Sequence, residues 1–454
     1  MKKIGKRAKA AFLLLLAFCM ALSVFYINLG INGGQWALAP YNRHIYKDGL
    51  LQNTGSILDR DGAVLAKTEN NKRIYNENST IRKSLLHIVG DNSGYFNGIQ
   101  KNYASALAGY SFINGIHTLS EWNAVPSMKL TISSELNKKI ANAFSGKKGA
   151  VIVYNYSNGE VIASLSAPNY DPLNVPSNLN SEKYEGIYVN RALNGMYPPG
   201  STFKIITAIS ALENINNVNE LKFNCEGKCK IEDGGEIICN GKHGEIDFKE
   251  GLKVSCNVVY AQIAIKLGAK NLKNTAEKFG FNNSGEISKL SFNGGYYNTD
   301  NAKLTDLGWS GIGQWTVLTS PFTMMKLSGV IANNGSFVEP HLIKGVNNAV
   351  GIPTIINLPI KKSVISANTA NKLKEMMKLS ATYSFGENLV EKYSLRCKTG
   401  TAEVEKDAPH SWLTGFLDNK KTPYAFAIII ENGGGAATAT RYILNTLLKS
   451  LTEL

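Results

Sequence analysis

The chain has 454 residues and a net charge of +14, the difference between 49 basic and 35 acidic residues. Its hydrophobic content of 44% and charged content of 19% are those of a globular protein and argue against a disordered chain, and its length suffices for two or three domains. The positive charge is spread without long basic runs, which argues against a nucleic-acid-binding tail and suits an anionic surrounding such as a membrane or a wall polymer.

The first predicted element is a membrane anchor. Residues 10–31 carry no charge, and five basic residues precede them: Lys2, Lys3, Lys6, Arg7 and Lys9. This length is about what a helix needs to cross the hydrocarbon core, and the preceding charges keep the N-terminus in the cytoplasm. The sequence therefore predicts a cytoplasmic tail over residues 1–9, an anchor over 10–31 and an exported remainder. A cleaved signal peptide is the alternative, with Ala37-Leu38-Ala39 as its candidate cleavage site.

The exported part is predicted to divide into two domains. Residues 32–128 are mixed and polar, with a strand, an Asp-Gly turn and a strand over residues 54–66. We find no chemistry-bearing motif there and interpret the segment as a small pedestal domain. Residues 129–454 form the second domain. It opens on a helix capped by Ser133 or Ser134 and continues with two strands that flank Asn158-Gly159.

A candidate nucleophile follows in Ser201-Thr202-Phe203-Lys204. Pro198-Pro199-Gly200 cannot lie inside a helix, so a helix should begin near Ser201 and carry Ser201 and Lys204 on one face. Unpaired N–H groups at a helix start favour negative charge, and an amine in an apolar wall can lose its proton and then deprotonate a hydroxyl. Alone, the spacing fits equally an N-cap serine beside a solvated lysine.

Two later stretches carry side chains that would complete such a site. In Ser255-Cys256-Asn257 the hydroxyl can relay a proton, and the carboxamide can hold a peptide group. In Lys398-Thr399-Gly400-Thr401 a strand would present a charge and a hydroxyl that suit a carboxylate, and Gly400 would let a ligand backbone approach closely. Taken alone, the Ser-x-Asn and the Lys-Thr-Gly patterns are each also compatible with residues that have only a structural role.

The three motifs in this order, behind an anchor, resemble the penicillin-binding proteins. The resemblance covers roughly residues 130–450 and includes further blocks: Pro168–Pro172, Tyr197–Gly200, Gly311–Gln314 and Trp412–Phe416. Class B, monofunctional members resemble the chain best, because residues 32–128 are too short for a glycosyltransferase domain. The resemblance implies an α/β (α+β) fold of the penicillin-binding and β-lactamase-like type, an antiparallel sheet flanked by helices. A pattern over residues 437–451 also predicts an amphipathic helix that packs on a strand over 424–430.

The resemblance further implies catalytic roles. Ser201 would attack the carbonyl between the terminal D-alanines of a peptidoglycan stem peptide, Lys204 would take its proton, and Ser255 would pass a proton to the leaving D-alanine. Backbone N–H groups of Ser201 and Thr401 would form the oxyanion hole. An amine from a neighbouring stem peptide would then resolve the acyl-enzyme into a cross-link, without a metal ion or other cofactor. β-Lactam antibiotics would be trapped at Ser201.

Substrate binding is implied for a second group of residues. Asn257 would hold the peptide amide, and the terminal carboxylate would lie in a site formed by Lys398, Thr399, Gly400 and Thr401. The implied partners are stem peptides, β-lactams, the membrane and a membrane glycan polymerase of the shape, elongation, division or sporulation type, with no nucleic acid. The implied location is the cell membrane, with a single span and the catalytic domain outside the cytoplasm.

The sequence does not decide whether the cysteines bind a metal ion, form a disulfide or remain free thiols. Four residues have spacings that fit a zinc site: Cys225, Cys229, Cys239 and His243. The resembling family often has two cysteines and His-Gly in this loop, most like Cys225, Cys239 and His243 here. A disulfide is therefore one alternative, and free thiols are another. Cys256 and Cys397 are interpreted as packing residues, so no metal site is assigned.

Two other functions remain open beside the favoured transpeptidase. A D,D-carboxypeptidase or a β-lactamase would hydrolyse at the same site, although a β-lactamase usually lacks an anchor and a pedestal. A non-enzymatic scaffold or sensor would be acylated without turnover, and a sensor would need a signalling domain.

Overall fold

A long apolar helix opens the structure, which is a computed structural model. The structure describes residues 2–39, 41–42, 46–47, 50–51, 54–70, 72–111, 115–116, 126–347, 353–355, 359–404 and 407–453. Helix α1 (Lys2–Ala37) is 36 residues long, and the span Gly5–Ala37 is apolar and long enough to cross a membrane. Large apolar side chains along it, such as Phe12, Leu14 and Ile31, are exposed. This helix is consistent with the predicted anchor. It extends beyond residues 10–31 at both ends: toward the N-terminus through lysines, an arginine and an alanine, which are good helix formers, and toward the C-terminus through Asn32, Gly33 and Gly34, whose propensities do not explain the extension.

Short elements follow α1 up to residue 130. They are β1 (Tyr46–Lys47), β2 (Leu50–Leu51), β3 (Ser56–Leu58), β4 (Val64–Glu69), β5 (Lys72–Tyr75), α2 (Ser79–Ser84), α3 (Leu86–Val89), α4 (Ile99–Asn102), α5 (Ala104–Leu107), β6 (Tyr110–Ser111), β7 (Gly115–Ile116) and β8 (Ser127–Leu130). The hairpin predicted over residues 54–66 is present as β3 and β4. Asp59 Oδ1 closes its turn by accepting the N–H groups of Asp61 and Ala63, at 2.9 and 2.8 Å.

The remaining chain contains ten helices among the described residues. They are α6 (Ser134–Phe144), α7 (Arg191–Asn194), α8 (Lys204–Asn214), α9 (Phe248–Lys253), α10 (Asn257–Lys278), α11 (Leu304–Gly311), α12 (Pro321–Ala332), α13 (Ala367–Phe385), α14 (Glu387–Tyr393) and α15 (Ala436–Leu451). Ser133 caps α6, as predicted, by accepting the N–H of Leu136.

Seventeen strands lie between these helices in the part of the chain that the structure describes. They are β9 (Gly149–Asn155), β10 (Val161–Ala167), β11 (Lys222–Cys225), β12 (Lys228–Lys230), β13 (Glu236–Ile238), β14 (Gly244–Asp247), β15 (Ser284–Ile287), β16 (Leu290–Asn293), β17 (Gly295–Tyr296), β18 (Leu318–Thr319), β19 (Ser336–Val338), β20 (Ile343–Asn347), β21 (Pro353–Ile355), β22 (Lys361–Ser363), β23 (Leu395–Ala402), β24 (His410–Leu417) and β25 (Tyr424–Ile430).

A five-stranded antiparallel sheet forms the centre, in the order β10-β9-β25-β24-β23. Both of its faces are buried. Along β9, Ile152 and Tyr154 belong to a hydrophobic core on one face, and Val151 and Val153 belong to the core on the other. Helices α8, α10 and α12 contribute to the first core, and α6 and α15 contribute to the second. The predicted antiparallel sheet flanked by helices is confirmed, including the packing of α15 on β25.

A six-stranded sheet joins early and late parts of the chain. Its order is β21-β20-β8-β3-β4-β5, and β3 pairs with β8 in parallel. Strands β20 and β21 come from residues 343–355, so two distant segments share this sheet. The domain boundary predicted at residue 128 falls inside β8. The pedestal assignment over residues 32–128 remains a prediction, and residues 117–125 of it lie outside the described residues.

A nearly buried ion pair fastens α2 to the loop after β10. Arg82 Nε and Nη2 each lie 2.6 Å from a carboxylate oxygen of Asp171, and the two side chains are only 12% and 8% exposed. Burial alone would raise the pKa of Asp171, but hydrogen bonds and charge from Arg82 outweigh burial and hold this pKa below its ordinary value.

We expect Arg82→Met to lower the free energy of unfolding by about 3 kcal/mol at neutral pH, because it leaves the Asp171 carboxylate without its cation. Urea unfolding of the detergent-solubilised protein measures this loss. Because the folded-state pKa of Asp171 is lowered, the pair stabilises the protein above the ordinary aspartate pKa, and the stabilisation disappears as the pH falls through the folded-state value. The exposed pair Lys139–Glu453 is the control. Lys139→Met should leave the free energy of unfolding nearly unchanged, and equal losses in the two variants would contradict the prediction.

Candidate active site

The predicted nucleophile lies on a tight turn that precedes a helix. Gly200–Thr202 form a 3₁₀ turn, and α8 begins at Lys204, three residues later than the predicted start near Ser201. The delay has a local cause, because Pro198 and Pro199 cannot donate backbone hydrogen bonds and Gly200 has a left-handed φ of +52°. Trp412 Nε1 donates to Pro198 O at 2.9 Å and holds the turn against β24.

Lys204 connects Ser201 to the second motif. Its Nζ lies 3.0 Å from Ser201 Oγ, 2.6 Å from Ser255 O, 3.2 Å from Ser255 Oγ and 2.7 Å from Asn257 Oδ1. The Lys204 side chain is completely buried. The amine therefore touches the candidate nucleophile and both polar residues of the Ser-x-Asn motif at once.

Two lysines in this site have pKa values below the ordinary lysine value. Burial, and then the charge of Lys398, lower the pKa of Lys204 well below its ordinary value. Burial lowers the pKa of Lys398 to about 8. At pH 7 the Lys204 amine is therefore suited to accept a proton, whereas Lys398 remains largely an ammonium that can attract a carboxylate.

The Ser-x-Asn turn adopts an unusual backbone conformation. Ser255 has a left-handed φ of +60°, which is uncommon for a residue with a side chain. The conformation presents both its carbonyl and its hydroxyl to Lys204. Asn257, the first residue of α10, donates from Nδ2 to Ile238 O at 2.9 Å. A strained backbone that directs two oxygens at one buried amine is typical of a functional site.

The third motif approaches from an edge of the central sheet. Strand β23 is an edge strand of that sheet, and Lys398 Nζ lies 3.0 Å from Ser255 Oγ and 2.9 Å from Thr399 O. The Ser255 hydroxyl thus lies between two lysine amines. Residues that are 143 positions apart in the chain meet at this point.

The backbone of β23 lies so close to the nucleophile turn that positions 200 and 400 have no room for a side chain, which explains why both are glycine. A Cβ on Gly400 would lie 2.9 Å from Pro199 O and Thr202 Cγ2, and a Cβ on Gly200 would lie 2.6 Å from Thr401 O. The contact places Thr401 beside the nucleophile turn. The side chains of Thr399 and Thr401 are half-buried on β23 and make no direct contact with the amine cluster among the hydrogen bonds described. Their roles toward a carboxylate remain predictions.

The sequence analysis missed the residues that support the nucleophile turn. Tyr197 OH donates to Glu431 Oε1 at 2.6 Å, and Arg191 Nε donates to the same oxygen at 2.7 Å. The Tyr197 ring also packs edge-on against Trp412. Tyr197 belongs to the block Tyr197–Gly200, but Glu431 carries no local motif, so sequence spacing alone could not identify the group.

A cluster of sulfur and nitrogen atoms lies directly behind the Ser-x-Asn turn. Four residues form it: Cys225, Cys239, His243 and Cys256. All six cysteines of the chain are unpaired thiols in the structure. Cys256 is buried in the hydrophobic core as predicted, and its Sγ also lies in this group, whereas Cys229, which the spacing had included, does not. Cys397 is buried in the core as predicted.

The acylation rate should depend on pH in a bell-shaped manner. We expect the second-order rate constant for a labelled penicillin to rise as the pH passes the lowered pKa of Lys204, because only the neutral amine can take the Ser201 proton. It should fall above about pH 8 as Lys398 loses its proton and its attraction for a carboxylate. Stopped-flow or gel-based labelling across the pH range measures both limbs. A rate that does not vary between about pH 6 and 10 would contradict the two assignments.

Comparison with known proteins identifies related sequences. The family model described as penicillin binding protein transpeptidase domain matches residues 149–449. Peptidoglycan D,D-transpeptidase PbpA of Mycobacterium tuberculosis is 28% identical over 319 residues, and the alignment covers 64% of this chain and 64% of that relative. Peptidoglycan D,D-transpeptidase MrdA of Haemophilus influenzae is 26% identical over 470 residues, which cover 90% of this chain and 70% of MrdA.

Solved structures share the fold. Penicillin-binding protein A from M. tuberculosis, solved as a ceftriaxone acyl-enzyme complex, superposes with a TM-score of 0.76 at 20% identity. The superposition covers 88% of this chain and 98% of that one. The chain thus shares with that protein the sheet and helices that bring the three motifs together.

Proposed function

Because the chain belongs to the family of penicillin-binding protein transpeptidase domains, we propose that it is a peptidoglycan D,D-transpeptidase that acts through an acyl-enzyme on Ser201. One observation supports the proposal most strongly. The buried Lys204 amine lies within hydrogen-bonding distance of Ser201 and of both polar residues of the Ser-x-Asn turn, and Lys398 reaches the same Ser255 hydroxyl.

The proposed reaction begins with proton transfer from Ser201 to Lys204. The neutral amine lies 3.0 Å from Ser201 Oγ and accepts the proton as the oxygen attacks the carbonyl between two D-alanines. Backbone N–H groups of Ser201 and Thr401 stabilise the oxyanion, and each such donor is typically worth about 3 kcal/mol. The chemistry at Ser201 needs no metal ion, because the lysine supplies the base.

Departure of D-alanine requires that its nitrogen receive a proton. Ser255 Oγ lies 3.2 Å from Lys204 Nζ and 3.0 Å from Lys398 Nζ, so its hydroxyl can donate to the leaving amine and regain a proton from Lys204. Asn257 orients the peptide, and Lys398, Thr399, Gly400 and Thr401 bind the terminal carboxylate. An amine of a second stem peptide then attacks the acyl-enzyme and forms the cross-link.

The same proposal includes the location and the partners. Helix α1 anchors the protein in the cell membrane by a single span, with residues 1–9 in the cytoplasm and the catalytic residues outside. β-Lactams acylate Ser201 because they present a strained amide to the same groups. A membrane glycan polymerase supplies the strands that are cross-linked.

Transfer and hydrolysis can be separated with a thioester donor that ends in D-alanine and an added D-amino acid as acceptor. We expect the detergent-solubilised protein to form the transfer product, in an amount that increases with acceptor concentration. A protein that releases only the free acid at every acceptor concentration would be a carboxypeptidase. Rapid release of a bound penicillin would indicate a β-lactamase, and a protein that is acylated by penicillin but neither transfers nor hydrolyses the thioester donor would be a scaffold or sensor.

A further inference from the structure

An uncharged cavity lies where residues 87–97 meet the part of the chain that carries the three motifs. Its volume is about 240 Å³, and residues of α3, α7 and β16 help to line it. The floor is apolar, since Phe96, Leu193 and Leu290 are at most 2% exposed. Carboxamide side chains of Asn97 and Asn194 also line the cavity. None of the lining residues that the structure describes is an aspartate, glutamate, lysine or arginine, although the chain has a net charge of +14.

Two polar atoms of residues that line this cavity have no hydrogen-bond partner among the described residues. His87 is 4% exposed, and its Nε2 donates to Ile187 O at 2.7 Å, so Nδ1 is an acceptor without a donor. Burial lowers the pKa of His87 to about 4, which keeps the ring neutral near pH 7. Asn190 Nδ2 donates to His87 O at 3.3 Å, and Asn190 Oδ1 also lacks a donor. Buried acceptors are rarely left unpaired, and a ligand in the cavity can supply hydroxyl or N–H donors, directly or through a bound water.

Aromatic rings continue from the floor of the cavity to the protein surface. The centre of the Phe96 ring lies 5.2 Å from that of His87 and 5.4 Å from that of Tyr188. The Tyr188 ring lies 5.6 Å from the ring of Tyr95. Tyr188 is 46% exposed and Tyr95 is 73% exposed. Neighbouring exposed aromatic side chains beside a cavity are typical of a binding surface.

This combination of groups suits a sugar. A sugar ring has an apolar C–H face that packs on aromatic rings, and its hydroxyl groups can donate to the unpaired acceptors and accept from carboxamides. An acetamido substituent adds an N–H donor and a methyl group that suits the apolar floor. A charged ligand would lose its hydration without gaining a counter-charge from the wall. The volume is below the roughly 300–1,000 Å³ of pockets for drug-sized ligands, so the cavity holds one ring and not a longer chain.

We propose that this cavity binds one N-acetylated sugar unit of a glycan strand, and that the strand continues over Tyr188 and Tyr95. The proposal rests on the proposed function and deepens it, because it gives the enzyme a second site, which recognises the polymer that carries the stem peptides.

The cavity lies close to the nucleophile along the chain. Asn194 lines the cavity, and Ser201 follows it by seven residues. Seven residues span at most about 25 Å. Arg191, which adjoins the cavity residue Asn190 in the chain, also shares Glu431 Oε1 with Tyr197 of the nucleophile turn. A strand held in the cavity therefore keeps the stem peptides that project from it near Ser201.

Calorimetry with the tetramer of N-acetylglucosamine and the full-length protein in detergent tests the site. We expect the tetramer to bind the wild type, and Tyr188→Ala to weaken binding by about 10-fold, because the ring supplies a packing face for the sugar. Tyr442→Ala is the matched control, since Tyr442 is 70% exposed on α15 and lies outside the cavity. It should leave the affinity within about twofold of wild type. Absence of binding to the wild type, or an equal loss in both variants, would overturn the proposal.

A tetramer of glucose tests the assignment of an N-acetylated sugar. It has hydroxyl groups but no acetamido groups, so we expect it to bind the wild type more weakly than the N-acetylglucosamine tetramer. Equal affinities for the two tetramers would overturn this assignment.

Prior acylation with penicillin separates the sugar site from the catalytic groove. We expect protein that is acylated at Ser201 to bind the N-acetylglucosamine tetramer as tightly as the free protein does, because none of the three motifs lines the cavity. Displacement of the tetramer by penicillin would place the sugar in the catalytic groove and would overturn the proposal. If the tetramer binds but Ser201 cannot be acylated, the proposed function fails while the sugar site stands. If penicillin acylates Ser201 and the tetramer does not bind, the sugar site fails while the proposed function stands.

Discussion

Ser201→Ala is expected to abolish covalent labelling of the protein by penicillin. The variant lacks the only oxygen that Lys204 contacts on the nucleophile turn, and no acyl ester can form without it. Loss of the nucleophile in a serine enzyme lowers the rate by about 10⁶-fold, so labelling should disappear from a gel assay. Ser201 is half-buried, and Lys204 Nζ keeps Ser255 O and Asn257 Oδ1 as acceptors, so the substitution should leave the unfolding midpoint nearly unchanged.

A serine on the same helix provides the matched control for that experiment. Ser210 Oγ donates to Asn271 O and lies two turns along α8 from the site. Ser210→Ala should be labelled at close to the wild-type rate. Labelling of Ser201→Ala at a comparable rate would mean that another residue is the nucleophile.

Lys204→Met is expected to reduce the acylation rate by about 10³-fold, the next largest effect. General base catalysis by a positioned side chain typically contributes 10²- to 10⁴-fold, and no other amine lies within the described contacts of Ser201 Oγ. Methionine has nearly the length of lysine and suits a completely buried site, so the variant removes the amine without opening a large cavity. The second-order rate constant for a fluorescent penicillin measures the loss.

Lys326 offers a half-buried lysine outside the site as the control. Its Nζ lies 4.7 Å from the centre of the Phe337 ring, and burial lowers its pKa to about 8. Lys326→Met removes a half-buried amine from α12 and should leave the acylation rate within about twofold of wild type. If Lys204→Met retains a rate like that of Lys326→Met, Lys204 is not the base.

Sequence patterns predicted the chemical groups of the site better than their arrangement. Ser201 and Lys204 were predictable as a pair because four residues of local chain determine their spacing. The contact between Ser255 and Lys398 depends on how β23 lies at the sheet edge, which no local pattern specifies. The left-handed backbone conformation of Ser255 could not be predicted from the sequence either, because serine does not favour it.

The cysteine group likewise depends on tertiary contacts that local sequence patterns do not specify. Spacing suggested Cys229 as a ligand because it lies close in sequence to Cys225, but Cys229 lies on β12, paired with Ile237, and is not among the four residues whose ligand atoms lie together. Cys256 enters the group because α10 begins where β13 ends in space. The antiparallel sheet and the hairpin at Asn158-Gly159 were predictable, whereas the sharing of one sheet by β3 and β20 was not, since nearly 300 residues separate them.

The central claim, that Ser201 becomes acylated in a site built from all three motifs, is tested most directly by peptide mapping after reaction with penicillin. Trypsin places Ser201 in the peptide 192–204 and Ser255 in the peptide 254–266, so mass spectrometry distinguishes the two hydroxyls. We predict one penicillin adduct per chain, on Ser201 in the first peptide. An adduct on the second peptide, or on any residue other than Ser201, would contradict the account.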